Sequence, residues 1–326
     1  MTEAMNRRRF LAMSAGVGTS LCWSMGSQRV AQAAVPATKG GLKKAVIVNT
    51  PNTEELEKLK AAGFDGVEAG IVEAQLAESY RQAADKLGMK IHSVLRGWAK
   101  FNDPDASVVA DSTATTEKAL LAAQGYGADT ILLVPCRIKE NMPRAWEFSY
   151  DFDPETGHVK KVTYGDNGPF EAYIKAHNHA IDTSREAINR LIPVAQKTGV
   201  VMAVENVWNN LWVRPEIFRH FVASFKSKWV KAYFDIGNHV KYARSTDWIL
   251  TLGDLIVKCH VKDFLLDAAD PDGGGKFVNI RDGSIRWPAV RRALDRIGYD
   301  GWMTIEGGDL SPEEHSKRLD LIIAGK

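Results

Sequence analysis

The sequence predicts an α/β protein whose single domain is a (β/α)8 TIM barrel. Eight short apolar runs alternate with segments of helical length along residues 34–326. Each run is continuously apolar, which is typical of parallel strands that are covered on both faces. Barrels of this kind commonly use about 250 residues as one unit, so a chain of 326 residues does not require a second domain.

The predicted strands and helices follow one another in a regular order. The first four strands are predicted at residues 45–48, 66–68, 90–95 and 130–134. The last four apolar runs each end at an acidic or imidazole side chain, namely Glu205, Asp235, His260 and Glu306. Helices are predicted between strands at residues 53–62, 74–87, 112–126 and 172–197. Eight strand-plus-helix units are the number that closes a TIM barrel.

A different pattern interrupts the alternation after the fourth strand. Residues 146–152 alternate apolar and polar side chains, residues 153–157 have the composition of a turn, and residues 159–162 can pair back. This pattern predicts a β-hairpin inserted at the mouth of the barrel, where the loops that follow strands carry function. The alternative is a surface insertion without a role in function.

The N-terminus has the order of features found in an export signal. Asn6-Arg7-Arg8-Arg9-Phe10-Leu11 is a twin-arginine pattern, a small and apolar stretch covers residues 12–25, and Ala31-Gln32-Ala33 has the composition of a cleavage site. We therefore predict a twin-arginine signal peptide over residues 1–33 and a barrel domain over residues 34–326. The signal implies the twin-arginine export machinery as a partner and a periplasmic or otherwise exported location. A disordered basic N-terminus is the alternative.

The charge of the chain without this signal argues against a nucleic-acid partner. The full sequence has a formal net charge of +2, and residues 1–33 contain four arginines and one glutamate, so their removal leaves a charge of −1. Proteins that bind nucleic acids usually carry a basic surface, which a near-neutral chain does not predict.

The four polar side chains that end the last four strands predict a shared metal site. Successive members of the set Glu205, Asp235, His260 and Glu306 are 30, 25 and 46 residues apart, about one strand-plus-helix unit each. Their side chains would therefore meet where the C-terminal ends of the barrel strands converge. Three carboxylates and one imidazole favour Mn²⁺ or Mg²⁺, with Co²⁺ or Zn²⁺ as alternatives. A single acidic residue at a strand end is more often an N-cap or a salt-bridge partner than a metal ligand, and the prediction therefore depends on all four together.

These residues lie in motifs that resemble a known family. The motifs are Val204-Glu205-Asn206, Phe234-Asp235-Ile236-Gly237-Asn238-His239, His260-Val261-Lys262-Asp263, Thr304-Ile305-Glu306, Gly63-Phe64-Asp65-Gly66-Val67-Glu68, Arg281-Asp282-Gly283-Ser284-Ile285 and Gly298-Tyr299-Asp300-Gly301. In this order and spacing they resemble the sugar phosphate isomerase/epimerase superfamily, the xylose isomerase-like barrels. The resemblance covers nearly all of residues 34–326.

The resemblance implies a metal-dependent sugar isomerase or epimerase with a small-molecule carbohydrate substrate. It implies a divalent metal held by Glu205, Asp235, His260 and Glu306. It further implies that Glu205 and Glu306 transfer protons next to a carbonyl group through a cis-enediolate. A homo-oligomer is a further expectation from the family. The chemistry is physically reasonable, because a Lewis-acidic metal lowers the barrier to removing a proton beside a ketone by several kcal/mol.

Further polar and aromatic residues near strand ends are candidates for binding the substrate. They are His239, Lys262, Glu68, Arg96, Trp98, Arg137 and Trp208. His239 lies four residues after Asp235, where the family pattern places a histidine three residues on. Glu68 is expected either to bind a substrate hydroxyl or to support the metal ligands, and Lys262 either to contact a substrate oxygen or to pair with Asp263. Trp208 is expected to form an apolar wall or to belong to the core.

The substrate class stays open in the sequence. The ketose 3-epimerase pattern has an arginine about six residues after the metal histidine, and this chain has Leu266 there. Because an exported enzyme would not meet phosphorylated metabolites, an unphosphorylated ketose or keto-sugar is expected. The main alternative is a 3-keto-glycoside lyase or hydrolase that uses the same metal site. An abasic-site endonuclease and a non-catalytic sugar-binding protein are less favoured alternatives.

Overall fold

A computed structural model describes residues 41–139, 141–270 and 274–326 of the chain. The predicted signal peptide over residues 1–33 lies outside the described residues. No helix in the described ranges is both long enough and apolar enough to cross a bilayer.

The described residues form a closed barrel of eight parallel strands. The barrel strands are β1 (Lys43–Val48), β2 (Gly66–Ala69), β3 (Lys90–Trp98), β4 (Thr130–Val134), β7 (Val201–Glu205), β8 (Val230–Asp235), β9 (Ile256–Val261) and β12 (Trp302–Ile305). Around the barrel they follow the order β1, β12, β9, β8, β7, β4, β3, β2. The predicted (β/α)8 TIM barrel is therefore confirmed.

One helix follows each barrel strand. The helices are α1 (Thr53–Ala61), α2 (Ala74–Lys86), α3 (Ala106–Tyr126), α4 (Glu171–Thr198), α5 (Pro215–Ser224), α6 (Ser245–Leu252), α7 (Trp287–Ile297) and α8 (Pro312–Ile323). Asn52 caps α1 by accepting a hydrogen bond from the backbone N–H of Glu55, and Asp105 caps α3 through Ser107. Gly127 and Gly199 end α3 and α4 in the left-handed conformation that a side chain would disfavour.

The core lies between the barrel strands and the surrounding helices, as the continuous apolar runs predict. All five residues of β4 and all four of β12 are buried. Because both faces of such strands are covered, the polar residues along them are restricted to positions with a buried partner or to the strand ends. The four candidate metal ligands stand at these ends.

The hairpin predicted after the fourth strand is present, and it extends from the barrel mouth to the outer helices. Strands β5 (Tyr150–Phe152) and β6 (Val159–Val162) pair in antiparallel fashion. The turn between them contacts the outer helices: Arg185 on α4 donates to the carbonyl of Thr156, and His220 on α5 lies 2.6 Å from the carbonyl of Pro154. Tyr150, at the start of the hairpin, contacts Leu211 and Arg214 in the loop after β7, so the insertion begins at the barrel mouth and its turn reaches the outer helices.

The segment before β5 explains why the first hairpin strand is shorter than predicted. Trp146 packs on Tyr242 at a ring distance of 5.4 Å, in the loop after β8. Phe148 packs on Phe170 and Tyr173 at 4.3 and 5.2 Å. Residues 146–148 are held by aromatic packing at the barrel mouth, so the hairpin pairing begins only at Ser149, whose carbonyl accepts a hydrogen bond from the N–H of Thr163 at 2.8 Å.

A second hairpin follows β9, which the sequence pattern did not predict. It consists of β10 (Asp263–Leu266) and β11 (Gly275–Val278). Gly275 has a φ of +138°, and a Cβ at this position would lie 1.9 Å from the carbonyl oxygen of Leu265. The glycine therefore permits the close approach of the two strands. The hairpin begins three residues after His260, so it stands beside the candidate metal ligands.

Candidate metal centre

Four neighbouring barrel strands bring the four candidate ligands together. Glu205 and Asp235 are the last residues of β7 and β8, His260 is the fifth residue of β9, and Glu306 directly follows β12. Asp235 and His260 are direct register partners. One ligand atom from each of the four side chains lies within 4.8 Å of all the others. The group, which we call the ligand cluster, has the ligand types and the spacing to hold a metal ion.

Unsatisfied buried atoms indicate that the cluster fits a cation. In the described part of the chain, Asp235 Oδ2, His260 Nδ1 and Glu306 Oε2 are buried without a hydrogen-bond partner. His260 Nδ1 faces Glu306 Oε2 at 2.7 Å and Glu205 Oε1 at 3.5 Å. Buried polar atoms without partners are rare in native proteins and call for an explanation. A divalent cation among these oxygen and nitrogen atoms would satisfy all three.

His260 is oriented by a buried carboxylate on the other side of the barrel. Its Nε2 lies 2.6 Å from Oε2 of Glu68 on β2, and Ser93 on β3 donates to Oε1 of the same carboxylate at 2.7 Å. Glu68, Ser93 and His260 are completely buried. With a cation at the cluster, a proton on Nε2 would satisfy this contact and leave the lone pair of Nδ1 for the metal. Glu68 therefore lies beneath the ligands and supports them, which is one of the two roles expected for it.

Asp235 is held by its neighbours so that one oxygen points into the cluster. Its Oδ1 accepts hydrogen bonds from the backbone N–H groups of Gly237 at 2.8 Å and Asn238 at 2.7 Å. The side chain of Asn206 bonds both to the N–H of Asp235 at 2.7 Å and to its carbonyl at 2.9 Å. The side chain of Asn238 also donates to Glu205 Oε1 at 3.3 Å. These contacts leave Asp235 Oδ2 available as a ligand.

Lys262 places a positive charge at the edge of the cluster. Its ammonium group lies 2.9 Å from Glu306 Oε1 and 3.5 Å from Asp235 Oδ2, and it donates to Asn238 Oδ1 at 3.2 Å. The side chain is 18% exposed, so these contacts are shielded from bulk water. Lys262 forms these contacts and not the salt bridge with the neighbouring Asp263 that was one of the two expectations. Asp263 instead accepts hydrogen bonds from two backbone N–H groups of the loop before α7 and from the indole of Trp287 at the start of that helix.

The pKa values of the carboxyl groups reflect their crowding. Burial raises the pKa of Asp235 to about 7 and also raises the pKa of Glu205. Burial acts in the same direction on Glu306, but the charges of His260 and Lys262 outweigh it and lower the pKa of that group. Three carboxylates in one buried space repel one another, which favours either a bound proton or a bound cation. A metal ion would remove this repulsion.

Two further residues expected at the substrate are engaged with neighbouring protein groups. The Nε2 of His239 lies 3.0 Å from the carbonyl of Val207, and burial lowers the pKa of His239 to about 3, so the ring is neutral. Trp208 donates its indole N–H to the carbonyl of Asn238, and Phe277 stacks on its ring at 5.0 Å. Lys241 lies 3.5 Å from the same ring. Trp208 therefore belongs to an aromatic wall that includes the second hairpin.

The other three candidates lie together at the ends of β3 and β4. Arg96 points outward and donates to the hydroxyl of Thr116 at 2.9 Å and to the carbonyl of Ser112 at 3.1 Å, both on α3. The register of β3 against β4 shifts between Leu95 and Gly97, so Arg96 is an extra residue whose side chain is turned away from the barrel interior. Trp98 is 44% exposed, and the guanidinium of Arg137 lies 5.3 Å from its ring centre.

Some residues around the cluster received no role from the sequence pattern. They are Ser93, Asn206, Asn238 and Phe277. A usable signal existed for the two asparagines, because Asn206 directly follows Glu205 and Asn238 lies three residues after Asp235. Asparagine next to a strand-end carboxylate commonly supports backbone and side-chain hydrogen bonds. No comparable signal distinguishes Ser93 or Phe277.

Comparison with known proteins places this arrangement in a family. The family model described as the xylose isomerase-like TIM barrel matches residues 56–322. An uncharacterised protein of Methanocaldococcus jannaschii is 25% identical over 146 residues, which are 43% of this chain and 47% of that protein. The chain thus spans about half the length of the curated relative that it matches.

Two solved structures share the fold at low sequence identity. A D-tagatose 3-epimerase-like protein is 17% identical, with a TM-score of 0.65 over 87% of this chain and 97% of that chain. The 3-keto-D-glucoside 4-epimerase from E. coli is 16% identical, with a TM-score of 0.61 over 87% of this chain and 99% of that chain. The family model covers most of the sequence. The protein therefore belongs to the xylose isomerase-like TIM barrel family.

Proposed function

We propose that the protein is a divalent-metal-dependent sugar isomerase or epimerase that acts on an unphosphorylated ketose or keto-sugar. The observation that carries the proposal is the position of Glu205 and Glu306 in one ligand cluster with the buried residues Asp235 and His260. The epimerase names of the two structural neighbours agree with this chemistry.

The two glutamates are arranged for proton transfer. Glu205 ends β7 and Glu306 follows β12, and β8 and β9 lie between these strands in the barrel. A planar carbon held between the two carboxylates would therefore meet one on each side. One glutamate removes the proton next to the carbonyl, which gives a cis-enediolate, and the other returns a proton to the opposite face.

Neighbouring residues adapt the glutamates to this task. His260 and Lys262, the latter 2.9 Å away, lower the pKa of Glu306, so this carboxylate is ionised. Burial raises the pKa of Glu205, which makes its carboxylate a stronger base. A divalent cation would supply Lewis-acid stabilisation of the negative charge that develops on the substrate oxygens. Its identity is proposed as Mn²⁺ or Mg²⁺, with Co²⁺ and Zn²⁺ as alternatives, because oxygen ligands predominate.

The protein is further proposed to be exported through the twin-arginine route. The support is Asn6-Arg7-Arg8-Arg9-Phe10-Leu11 followed by a short apolar stretch and Ala31-Gln32-Ala33. Expression of the full chain in a bacterium with this route, followed by mass spectrometry of the periplasmic fraction, tests the proposal. A mature N-terminus near residue 34 supports export. An unprocessed full-length protein that stays in the cytoplasm, although Arg8 and Arg9 are present, contradicts export.

Solvent-deuterium exchange tests the proposed chemistry. The protein is incubated in D₂O with Mg²⁺ and a panel of ketoses and 3-keto-glycosides, and the products are followed by NMR. Deuterium next to the carbonyl together with a new epimer or isomer supports the proposal, and Glu306→Gln should abolish both while the fold is kept. Release of an aglycone or a second sugar instead assigns the protein to the lyase or hydrolase class. Sugar binding without metal dependence or exchange identifies a non-catalytic binding protein.

A further inference from the structure

The second hairpin exposes large apolar side chains beside the ligand cluster. Leu265, Leu266 and Phe277 are 40, 46 and 43% exposed. A single exposed apolar side chain needs no explanation, whereas several that lie together commonly mark a binding site. The hairpin begins three residues after His260, so these side chains stand close to the proposed metal centre.

The pairing of β10 with β11 gathers some of these side chains on one face. Phe264 is opposite Phe277 in the register, and Leu266 is opposite Gly275. Because side chains alternate along a strand, Phe264, Leu266 and Phe277 share a face. A Cβ at Gly275 would lie 2.8 Å from ring atom Cε1 of Phe264, so a side chain there would occupy the same face. The glycine therefore leaves this face open next to Phe277.

Phe277 is held by two aromatic neighbours, and with them it forms the aromatic wall, which consists of Trp208, Phe264 and Phe277. The ring of Phe277 stacks on Trp208 with the ring centres 5.0 Å apart, and it meets Phe264 edge to face at 5.1 Å. Phe264 is buried and Trp208 is half-buried, so Phe277 is the member of the wall that presents its ring to solvent. A ring that is already held binds a ligand with a smaller ordering cost.

Contacts on two sides join the aromatic wall to the ligand cluster. The ammonium group of Lys262 lies 5.1 Å from the ring centre of Phe277 and 2.9 Å from Glu306 Oε1. On the other side, the tryptophan of the wall donates to the carbonyl of Asn238, and the side chain of Asn238 donates to Glu205 Oε1 at 3.3 Å. Each glutamate of the proposed proton transfer is therefore linked to the wall through one residue. A group attached to a sugar at the cluster can extend directly onto Phe277.

The chemistry of the wall favours an aromatic ring as the bound group. The ammonium of Lys262 also lies 3.5 Å from Asp235 Oδ2, so its charge is balanced by carboxylates and does not call for an anionic ligand. Aromatic rings that stack or meet edge to face gain stability beyond the apolar area that they bury. A second sugar would bring hydroxyl groups to Phe277 and Leu266, where burial without hydrogen-bond partners is costly.

We propose that the aromatic wall binds the aromatic aglycone of a glycoside whose sugar lies at the ligand cluster. The inference rests on the proposed function and narrows its substrate class to keto-glycosides with such an aglycone. The aglycone stacks on the exposed ring of Phe277 and contacts Leu266, while the oxygens of the sugar face the cluster. No covalent step occurs at the wall, which binds and orients the substrate.

Matched glycosides that cannot react test the wall separately from catalysis. The probes are methyl and phenyl β-D-glucopyranoside and the corresponding pair of β-D-galactopyranosides, which carry no ketone, and cellobiose is the comparison with a second sugar. Isothermal titration calorimetry measures their affinities for the full chain in the presence of Mg²⁺. We expect the phenyl member of at least one pair to bind about tenfold more tightly than its methyl partner, because only the phenyl ring can stack on the wall.

Substitutions of Phe277 assign this preference to the wall. Phe277→Ala should remove most of the preference for the phenyl glycoside, whereas Phe277→Tyr keeps an aromatic ring and should retain it. Both variants should bind the methyl glycoside and Mn²⁺ as the unchanged protein does, since Phe277 is not among the candidate ligands. Tyr164→Ala removes a different aromatic ring, which is 75% exposed, and should leave all these affinities unchanged.

Several results would overturn the proposal. Equal affinities of the phenyl and methyl members of both pairs, or no measurable binding of either phenyl glycoside, would do so. A preference for the phenyl glycoside that Phe277→Ala retains would place the aglycone elsewhere. Cellobiose that binds as tightly as phenyl glucoside would show that the wall does not select an aromatic group.

The outcome for the wall is distinguishable from the outcome for the proposed function. Deuterium exchange on free ketoses, without a preference for phenyl glycosides, overturns the wall and leaves the proposed function standing. A preference that depends on Phe277, in a protein without exchange activity on ketoses or 3-keto-glycosides, supports the wall and counts against the proposed function.

Discussion

Oε2 of Glu68 lies 2.6 Å from Nε2 of His260, although the two residues are 192 positions apart in the chain. β2 and β9 are separated by β1 and β12 in the barrel, so the contact crosses the interior beneath the ligand cluster. Both residues are fully buried. The contact fixes which nitrogen of His260 faces the cluster, and it makes the metal affinity depend on a residue that is not itself a ligand.

Loss of this contact should weaken metal binding. Glu68→Leu leaves Nε2 of His260 without an acceptor, so we expect Mn²⁺ or Mg²⁺ to bind about 10- to 100-fold more weakly. Glu68→Gln retains an acceptor oxygen and should lose less. Calorimetric titration of the metal measures both effects, and the visible spectrum of a Co²⁺-loaded protein reports the changed ligand geometry. Glu78→Gln on the exposed face of α2 is the control. Unchanged metal affinity in Glu68→Leu, with a raised KM, would instead place Glu68 at the substrate.

Removal of the metal should lower the thermal stability. The cluster holds three carboxylates whose repulsion a cation relieves, and a ligand at 100 times its Kd stabilises the folded state by about 2.7 kcal/mol. For a domain of this size we expect the Tm to fall by roughly 5 °C on treatment with EDTA and to recover on addition of Mg²⁺ or Mn²⁺. Differential scanning calorimetry measures the shift. Asp235→Asn should largely abolish the response, and a Tm that ignores both EDTA and metal would contradict a metal centre.

Asp263 should stabilise the folded loop that precedes α7. Its carboxylate accepts hydrogen bonds from the backbone N–H groups of Phe264, Arg281 and Ile285 and from the indole of Trp287. Asp263→Ala leaves these buried donors unpaired, and we expect the free energy of unfolding to fall by about 3 kcal/mol. Asp263→Asn keeps one acceptor oxygen and should cost less. Urea denaturation measures the effect, with the exposed Asp300→Asn as a control. Equal midpoints for Asp263→Ala and the control would show that the loop is held by other contacts.

The stability should depend on pH through His177. This residue of α4 is buried against Tyr150 and Tyr173, and burial lowers its pKa from 6.5 to about 4. Below pH 6.5 the unfolded chain takes up a proton that the folded protein takes up only near pH 4. The free energy of unfolding therefore falls as the pH drops through this window, by roughly 3 kcal/mol in total.

A substitution isolates this contribution. His177→Phe removes the titrating ring and keeps an aromatic side chain, so the free energy of unfolding should depend less on pH between 6.5 and 4. Urea denaturation at a series of pH values measures the slope. His179→Gln, at an exposed position on the same helix, should leave the slope unchanged. The same slope in His177→Phe as in the unchanged protein would assign the acid sensitivity to other buried groups.

The strands were predictable because their residues must be apolar to be covered on both sides. Residues 130–134 were predicted as a strand and form β4 with the same bounds. The convergence of Glu205, Asp235, His260 and Glu306 also follows from the sequence, because the fold brings the ends of parallel strands to one face. A continuous apolar run indicates that a strand is buried on both faces. The barrel topology then determines which strand ends lie next to one another.

Other features escaped the sequence because they depend on local geometry. A single register shift of β3 against β4 turns the side chain of Arg96 toward Thr116 on α3. The second hairpin depends on Gly275, whose backbone approaches Leu265 more closely than any side chain would allow. A bulge of one residue and a close approach of two backbones hardly change the order of apolar and polar residues, so the sequence pattern does not predict them.

The sequence by itself determined the barrel and the identity of the four candidate ligands, because both follow from apolar runs and from the residues that end them. The tertiary structure decided which groups support those ligands: Glu68 beneath His260, Asn206 and Asn238 around Asp235, and Lys262 beside Glu306. The physical reason is that the orientation of a buried polar side chain depends on partners that are distant in sequence. Such partners are identified only when the closed barrel brings them within hydrogen-bonding distance.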